Sequence, residues 1–171
     1  LDLRGHGFSE GQRGHIETWD DYRMDIHAFI GRVQADFPDV PLFAMGHSMG
    51  GLAIMDYVVH FPTAPLAGVI ATSPLLSEPN VPPIMNVLAK LLLRVAPNLG
   101  VNPGTDSSTI ARDTSKIADY DNDPLVHKLA TPRFAAEMEA VRQFVIANAD
   151  AIQHPFLLLY GDADGLVPPT V

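Results

Sequence analysis

The pentapeptide Gly46-His47-Ser48-Met49-Gly50 joins two segments of different periodicity. Leu42-Phe43-Ala44-Met45 runs into it as a short apolar strand, and the chain from Gly51 to about His60 leaves it as a helix closed by Pro62. A serine at a sharp strand-to-helix turn is a nucleophile elbow, and it restricts the architecture around it. Leu66 to Thr72 is a second buried strand. Strand, helix and strand in that order form a βαβ unit, so the sheet is expected to be parallel. The turn calls for small residues two positions before and two after the serine, and Gly46 and Gly50 supply them. In such a turn the N–H of Met49 points at a developing oxyanion, and the helix starting there adds its positive end. This is equipment for acyl transfer through a covalent intermediate on Ser48.

The rest of the chain extends the same layout. Thr18 is placed to cap a helix over roughly 20–36, with Asp20 and Asp21 in its first turn. Tyr22, Ile26, Phe29, Ile30, Val33 and Phe37 follow at helical spacing, and Pro38 ends the run. Val40 to Met45 is apolar almost throughout, which predicts a strand covered on both faces. Arg4 to Gly14 is a Gly-rich loop. Ile84 to Val95 is a very apolar helix, with Lys90 and Arg94 its charges. The segment 106–124 is polar and mostly irregular, and a further helix begins at Thr131 or Pro132. Phe156-Leu157-Leu158-Leu159 returns to a buried strand. The expected organisation is a core over 1–75, an inserted cap over 76–150, and a return to the core over 151–171. Both ends read as interior sequence, so an internal piece of a longer protein is expected, incomplete and poorly soluble by itself.

Bulk properties remove several classes. The formal net charge of -9 argues against nucleic-acid binding. With no cysteine, neither a disulfide scaffold nor a thiol enzyme is available. No window of eighteen continuous apolar residues suggests a membrane span.

A catalytic triad needs a carboxylate to hold a histidine in the right tautomer, and in chain order it follows the serine in a loop after a later strand. Asp162 and Asp164 both occupy such a loop, and position alone does not choose between them. All seven histidines, at 6, 15, 27, 47, 60, 127 and 154, precede Asp164. His47 is expected to pack under the elbow or bond to backbone. His27 and His60 are expected to be solvated on helix surfaces. His6 lies where a pocket edge is expected.

Elbow, acid loop and apolar inserted helix together resemble the α/β-hydrolases, and more closely the monoacylglycerol lipase and lysophospholipase group, the serine aminopeptidase S33-like hydrolases. The resemblance runs through Asp2-Leu3-Arg4-Gly5-His6-Gly7-Phe8-Ser9-Glu10-Gly11, Arg13-Gly14-His15, Pro41 to Gly51, Ser73-Pro74-Leu75, Ala96-Pro97-Asn98-Leu99, Tyr120 to Leu125 and Pro155 to Asp164. It implies a partial α/β-hydrolase fold, a mostly parallel sheet with helices on both faces and an inserted helical cap. The family's G-x-x-D pattern falls on Asp164, which becomes the expected acid beside Ser48. Met49 becomes one oxyanion donor. The second donor and the histidine are expected outside this chain, the histidine after Val171. The implied substrate is a monoacylglycerol or similar single-chain lipid ester, with no cofactor and no metal. His47, Leu75, Leu88, Leu91 and Leu92 are the expected pocket residues. The cap helix is expected to line an acyl tunnel and touch a bilayer, in a cytoplasmic or peripherally membrane-associated protein. A lysophospholipase, a generic carboxylesterase, an iminopeptidase-like enzyme and a non-catalytic relative are the alternatives.

Overall fold

In the computed structural model of the chain, the residues described are 1–77, 83–104 and 107–168, with the side chains of 83–86, Ile84 among them, outside that set. Helix α1 spans Trp19–Asp36, with Asp20 and Asp21 in its first turn. Strand β1 spans Phe43–His47, helix α2 Met49–His60 and strand β2 Gly68–Thr72. Helices α3, α4 and α5 span Pro83–Val95, Thr114–Asn122 and Pro132–Ala147, and strand β3 spans Phe156–Leu159.

The three strands form one parallel sheet in the order β1-β2-β3. Phe43 pairs with Gly68 and His47 with Thr72, while Val69 pairs with Phe156 and Thr72 with Leu159. The C-terminal ends of the strands are therefore in register, and the turns after them emerge side by side.

The chain folds into two compact units. The first comprises Leu1, Asp20–Ser77 and Ala140–Val171, and the second Asp2–Trp19 and Glu78–Glu139. The division does not follow chain order: the Gly-rich loop groups with the inserted segment, and the end of α5 groups with the sheet.

In the first unit α2 is buried continuously from Gly51 to Val58. Its one carboxylate there, Asp56, has no solvent exposure and is held by Arg23 of α1, Nε donating at 2.9 Å and Nη2 at 3.2 Å. Tyr22, Ile26, Ile30, Leu52, Val58, Val69 and Val145 make up much of the core. In the second unit the loop is organised around Asp2, whose carboxylate accepts the Phe8 N–H at 2.9 Å. Gly14, at φ 63, passes so close to the Leu129 carbonyl that an added Cβ would sit 1.9 Å from its oxygen.

Two expectations about strands need correction. β1 starts at Phe43 rather than Val40, because Pro41 offers no N–H to a ladder and the pairing with β2 begins at Gly68. Nor are the outer strands covered on both faces. Phe43 and Met45 on β1 are 60% and 68% exposed, and Leu157, Leu158 and Leu159 on β3 are exposed too. Both are the outer strands of the described sheet, and the shielding that their apolar sequence suits is not provided by the described residues.

Candidate active site

Ser48 is placed by the elbow in a conformation that serine rarely adopts, φ 52 and ψ −118. Position and type would make it a good helix cap, but capping requires extended backbone. At φ 52 the hydroxyl makes no capping bond to α2. The backbone is pinned instead. Ser48 N–H donates to the Thr72 carbonyl at 3.0 Å, and the Ser48 carbonyl accepts from Leu52 and Leu75, each at 3.1 Å. Met49 is the first residue of α2, so its N–H belongs to the first-turn donors that have no acceptor within the helix.

Gly46 explains the tightness of the turn. A Cβ there would lie 2.1 Å from the Gly50 carbonyl oxygen and 2.7 Å from the Gly51 nitrogen. Gly50 behaves differently from expectation, since a Cβ on it meets nothing within 4 Å among the described residues. The second close approach falls on Gly51, where a Cβ would lie 2.9 Å from the Pro74 ring. The helix turns its second residue outward and its third toward β2, so the steric demand lies one position further on.

Asp164 follows β3 and is half-buried, whereas Asp162 is exposed. Oδ1 of Asp164 accepts the N–H groups of Leu166 at 3.0 Å and Val167 at 2.9 Å. The neighbouring Ser73 hydroxyl and the charge of His47 also favour the ionised carboxylate. Burial pushes the acid up, but those donors and that charge together hold it below the ordinary value of 3.8. These contacts distinguish Asp164 from Asp162 physically, where residue type and spacing left them equal.

His47 is exposed, with Nδ1 3.0 Å from the Thr72 carbonyl oxygen and 2.9 Å from its hydroxyl. It ties the end of β1 to the end of β2. The remaining histidines are engaged elsewhere. His6 packs on His127 with ring centroids 4.9 Å apart, and His15 Nδ1 contacts the Thr131 hydroxyl at 3.0 Å. His154 Nε2 bonds the Ala64 carbonyl at 2.9 Å. His27 and His60 are not simply solvated: His27 stacks on Phe61 and reaches the Tyr57 hydroxyl, and His60 bonds back to Asp56 and packs on Phe144.

Among the expected pocket residues, Leu75 is half-buried in the elbow's own unit, its N–H on Ser48. Leu88 and Leu91 on α3 are exposed and Leu92 is half-buried. Val87 and Val95 of the same helix are exposed as well. Among the described residues no cluster of His, Cys, Asp or Glu is arranged to hold a metal ion, and no helix is long and apolar enough to cross a membrane.

Ser73 was not singled out from the sequence. It stands at φ 39, and with Ser48 it is one of two non-glycine residues at positive φ among those described. The available signal was a Ser-Pro directly after a strand, but a residue before proline is ordinarily extended.

Parallel sheet, elbow and acid turn define an α/β-hydrolase fold. The signature of the family described as serine aminopeptidase, S33, matches residues 1–171, and the chain belongs to that family. It is 37% identical over 169 residues to a monoglyceride lipase of Rattus norvegicus, covering 95% of this chain and 54% of that one. It is 32% identical over 169 residues to a monoacylglycerol lipase of Mycolicibacterium smegmatis, covering 98% of this chain and 60% of the other. The crystal structure of a monoacylglycerol lipase from Paleococcus ferrophilus superposes with a TM-score of 0.86 at 32% identity, over 98% of this chain and 63% of that one. The chain thus spans between about half and two thirds of the length of these relatives.

Proposed function

We propose that the full-length protein is a serine ester hydrolase that cleaves monoacylglycerols to fatty acid and glycerol. Ser48 is the nucleophile, Asp164 the acid and the Met49 N–H one oxyanion donor. The base in this reading is a histidine in sequence outside residues 1–171, because the hydrolase order calls for one after the acid and the one histidine beside Ser48, His47, is tied to Thr72. The observation that carries the reading is the backbone of Ser48, held at φ 52 with its hydroxyl unspent on capping.

In this reading Ser48 Oγ attacks the ester carbonyl carbon and its proton passes to the histidine. The oxyanion forms against the first turn of α2, where the Met49 N–H and the helix dipole favour negative charge. Collapse breaks the ester C–O bond, and the glycerol oxygen leaves with the histidine's proton. Water then gives a proton to the histidine, attacks the acyl carbon, and frees the fatty acid from Ser48. The lipid substrate is supported by the names of the relatives and by the apolar exposed surface of α3. The same surface supports peripheral contact with a membrane.

The test is hydrolysis of a monoacylglycerol by the full-length protein. Ser48→Ala is expected to lower kcat by at least about a thousandfold and to abolish labelling by a fluorophosphonate. Residues 1–171 alone are expected to be inactive. Undiminished turnover by Ser48→Ala refutes the mechanism. A preference for short p-nitrophenyl esters over monoacylglycerols refutes the substrate and leaves a generic esterase.

A further inference from the structure

Past β3 the chain turns through Asp164 and then comes back onto the segment that follows β2, both within the first compact unit. Leu166 and Val167 fold back so that their N–H groups meet Oδ1 of Asp164 at 3.0 and 2.9 Å. Val167 is 4% exposed and gives the turn an apolar anchor. One residue on, the Pro168 carbonyl accepts the Ser77 hydroxyl at 2.6 Å, and Ser77 is itself buried. The link from that carbonyl back to the acid is stiff. The ring fixes φ of Pro168, and Val167, as the residue before a proline, is restricted to extended backbone. A donor that holds the Pro168 carbonyl therefore also holds the Val167 N–H, and through it the carboxylate.

Ser77 is fixed from its other side. The Leu76 carbonyl accepts Nη1 of Arg142 from α5 at 3.0 Å, and Leu76 and Arg142 are both buried. The Leu76 N–H donates to the Pro74 carbonyl at 2.7 Å, and the Leu75 N–H to the Ser48 carbonyl at 3.1 Å. The segment 74–77 is thus bonded to the Ser48 turn at one end and to the stem of the Asp164 turn at the other. Leu75 and Leu76 precede Ser77 in the chain. A third apolar residue would suit burial as well, but it could not donate to the Pro168 carbonyl.

We propose that Ser77 is a positioning residue for Asp164: its hydroxyl clamps the outgoing stem of the acid turn to the segment that also holds the Ser48 backbone. The inference rests on the reading of Asp164 as the catalytic acid. Leu166 and Val167 orient the carboxylate from within its own turn, whereas Ser77 ties that turn to a different strand end. It therefore sets where the acid stands relative to the nucleophile, without touching either side chain.

The experiment is steady-state kinetics of the full-length protein on p-nitrophenyl butyrate, with sites counted by fluorophosphonate labelling taken to completion. The variants are Ser77→Ala, Ser77→Thr, Ser77→Val, Asp164→Asn and the double Ser77→Ala/Asp164→Asn, each checked by thermal melting. Thr and Val add closely similar bulk and differ in the hydroxyl, so the difference between them separates the bond from packing. Ser77→Ala and Ser77→Val are expected to lose about tenfold in kcat per site, the scale of a displacement of the acid by a fraction of an ångström. Their KM should stay within about twofold, and Ser77→Thr should recover kcat to within about threefold of wild type. In the Asp164→Asn background Ser77→Ala should cost nothing further. Where that background leaves too little rate to compare, the ratio of Ser77→Thr to Ser77→Val decides. Wild-type kcat per site in Ser77→Ala, even with a lowered melting temperature, makes the bond a structural tie alone and overturns the proposal. Equal kcat in the Thr and Val variants, or full additivity in the double variant, overturns it as well, and all three results leave the acid assignment standing. Wild-type activity in Asp164→Asn overturns the assignment itself, and the proposal with it.

Discussion

The two glycines of the elbow motif should respond in opposite ways to the same added methyl group. In Gly46→Ala the new Cβ lies 2.1 Å from the Gly50 carbonyl oxygen, 2.4 Å from its carbon and 2.7 Å from the Gly51 nitrogen. An ordinary contact begins at about 3.4 Å, so the backbone must yield by more than 1 Å. All three obstacles are backbone atoms, and no rotamer change relieves them. They also belong to the first turn of α2, whose N–H groups the proposed mechanism sets against the developing oxyanion. Overpacking of this kind costs about 2–4 kcal/mol, or about 5–15 °C in melting temperature for a domain of this size. Misplacing the oxyanion donors by about 1 Å should cost about a hundredfold in kcat. Gly50→Ala places its Cβ at a helical position where nothing among the described residues crowds it, and there alanine is better than glycine by up to about 1 kcal/mol. Its melting temperature should be unchanged or raised by about 1–3 °C. The assay is differential scanning calorimetry of the full-length variants, followed by steady-state kinetics on those that fold. Equal melting temperatures for Gly46→Ala and wild type, or a Gly50→Ala loss as large as that of Gly46→Ala, would refute the argument that the crowding lies at Gly46 and Gly51.

Two further perturbations test the charges that each unit buries. Asp56→Ala leaves the Arg23 guanidinium facing α2 without its buried partner and should lower stability by about 3–5 kcal/mol in urea unfolding; a loss under about 1 kcal/mol contradicts the buried-pair account. Burial lowers the pKa of His6 from 6.5, its bond to the Arg4 carbonyl opposes that, His127 and Arg13 lower it further, and Asp2 raises it. With the folded pKa depressed, the unfolded chain binds more protons below about 6.5, so stability falls as the pH drops through that value and levels off beneath the folded pKa. His6→Gln should flatten the urea-derived stability between about pH 6.5 and 5, and an unchanged slope rules His6 out as the source.

Helix periodicity made α1 and α2 legible within a residue or so, because 3.6-residue spacing is a local property and prolines mark where it stops. The parallel sheet was legible for the same reason, from the order strand, helix, strand. Exposure was not. A run such as Phe43-Ala44-Met45 or Leu157-Leu158-Leu159 reports what a strand is suited to, while its actual covering depends on what packs there. The start of β1 slipped because Val40-Pro41-Leu42 is apolar without being able to join the ladder fully. Hydrophobic patterning does not register the missing N–H.

The site divides along the same line. The elbow was readable because strand, glycine, serine and helix are contiguous, and the conformation of Ser48 follows from neighbours in the chain. The difference between Asp162 and Asp164 was unreadable from their surroundings, since both are aspartates in one short turn. It arises from Leu166 and Val167 folding back so that both N–H groups meet one oxygen of Asp164. A motif also assigns its small residues by position, whereas the close approaches assign them by geometry, and here the two part at Gly50 and Gly51. The turn Thr72–Leu75 is the clearest case. Nothing in Ser-Pro-Leu marks it as chemistry, because its importance comes from registering the ends of three parallel strands. Once Ser48 bonds to Thr72 and Ser73 bonds to Leu159, the spacing between Ser48 and Asp164 is no longer set by either loop. It is set by the pairing of β2 with both neighbours, and a substitution that shifts β2 by a fraction of an ångström acts on both ends of the site at once.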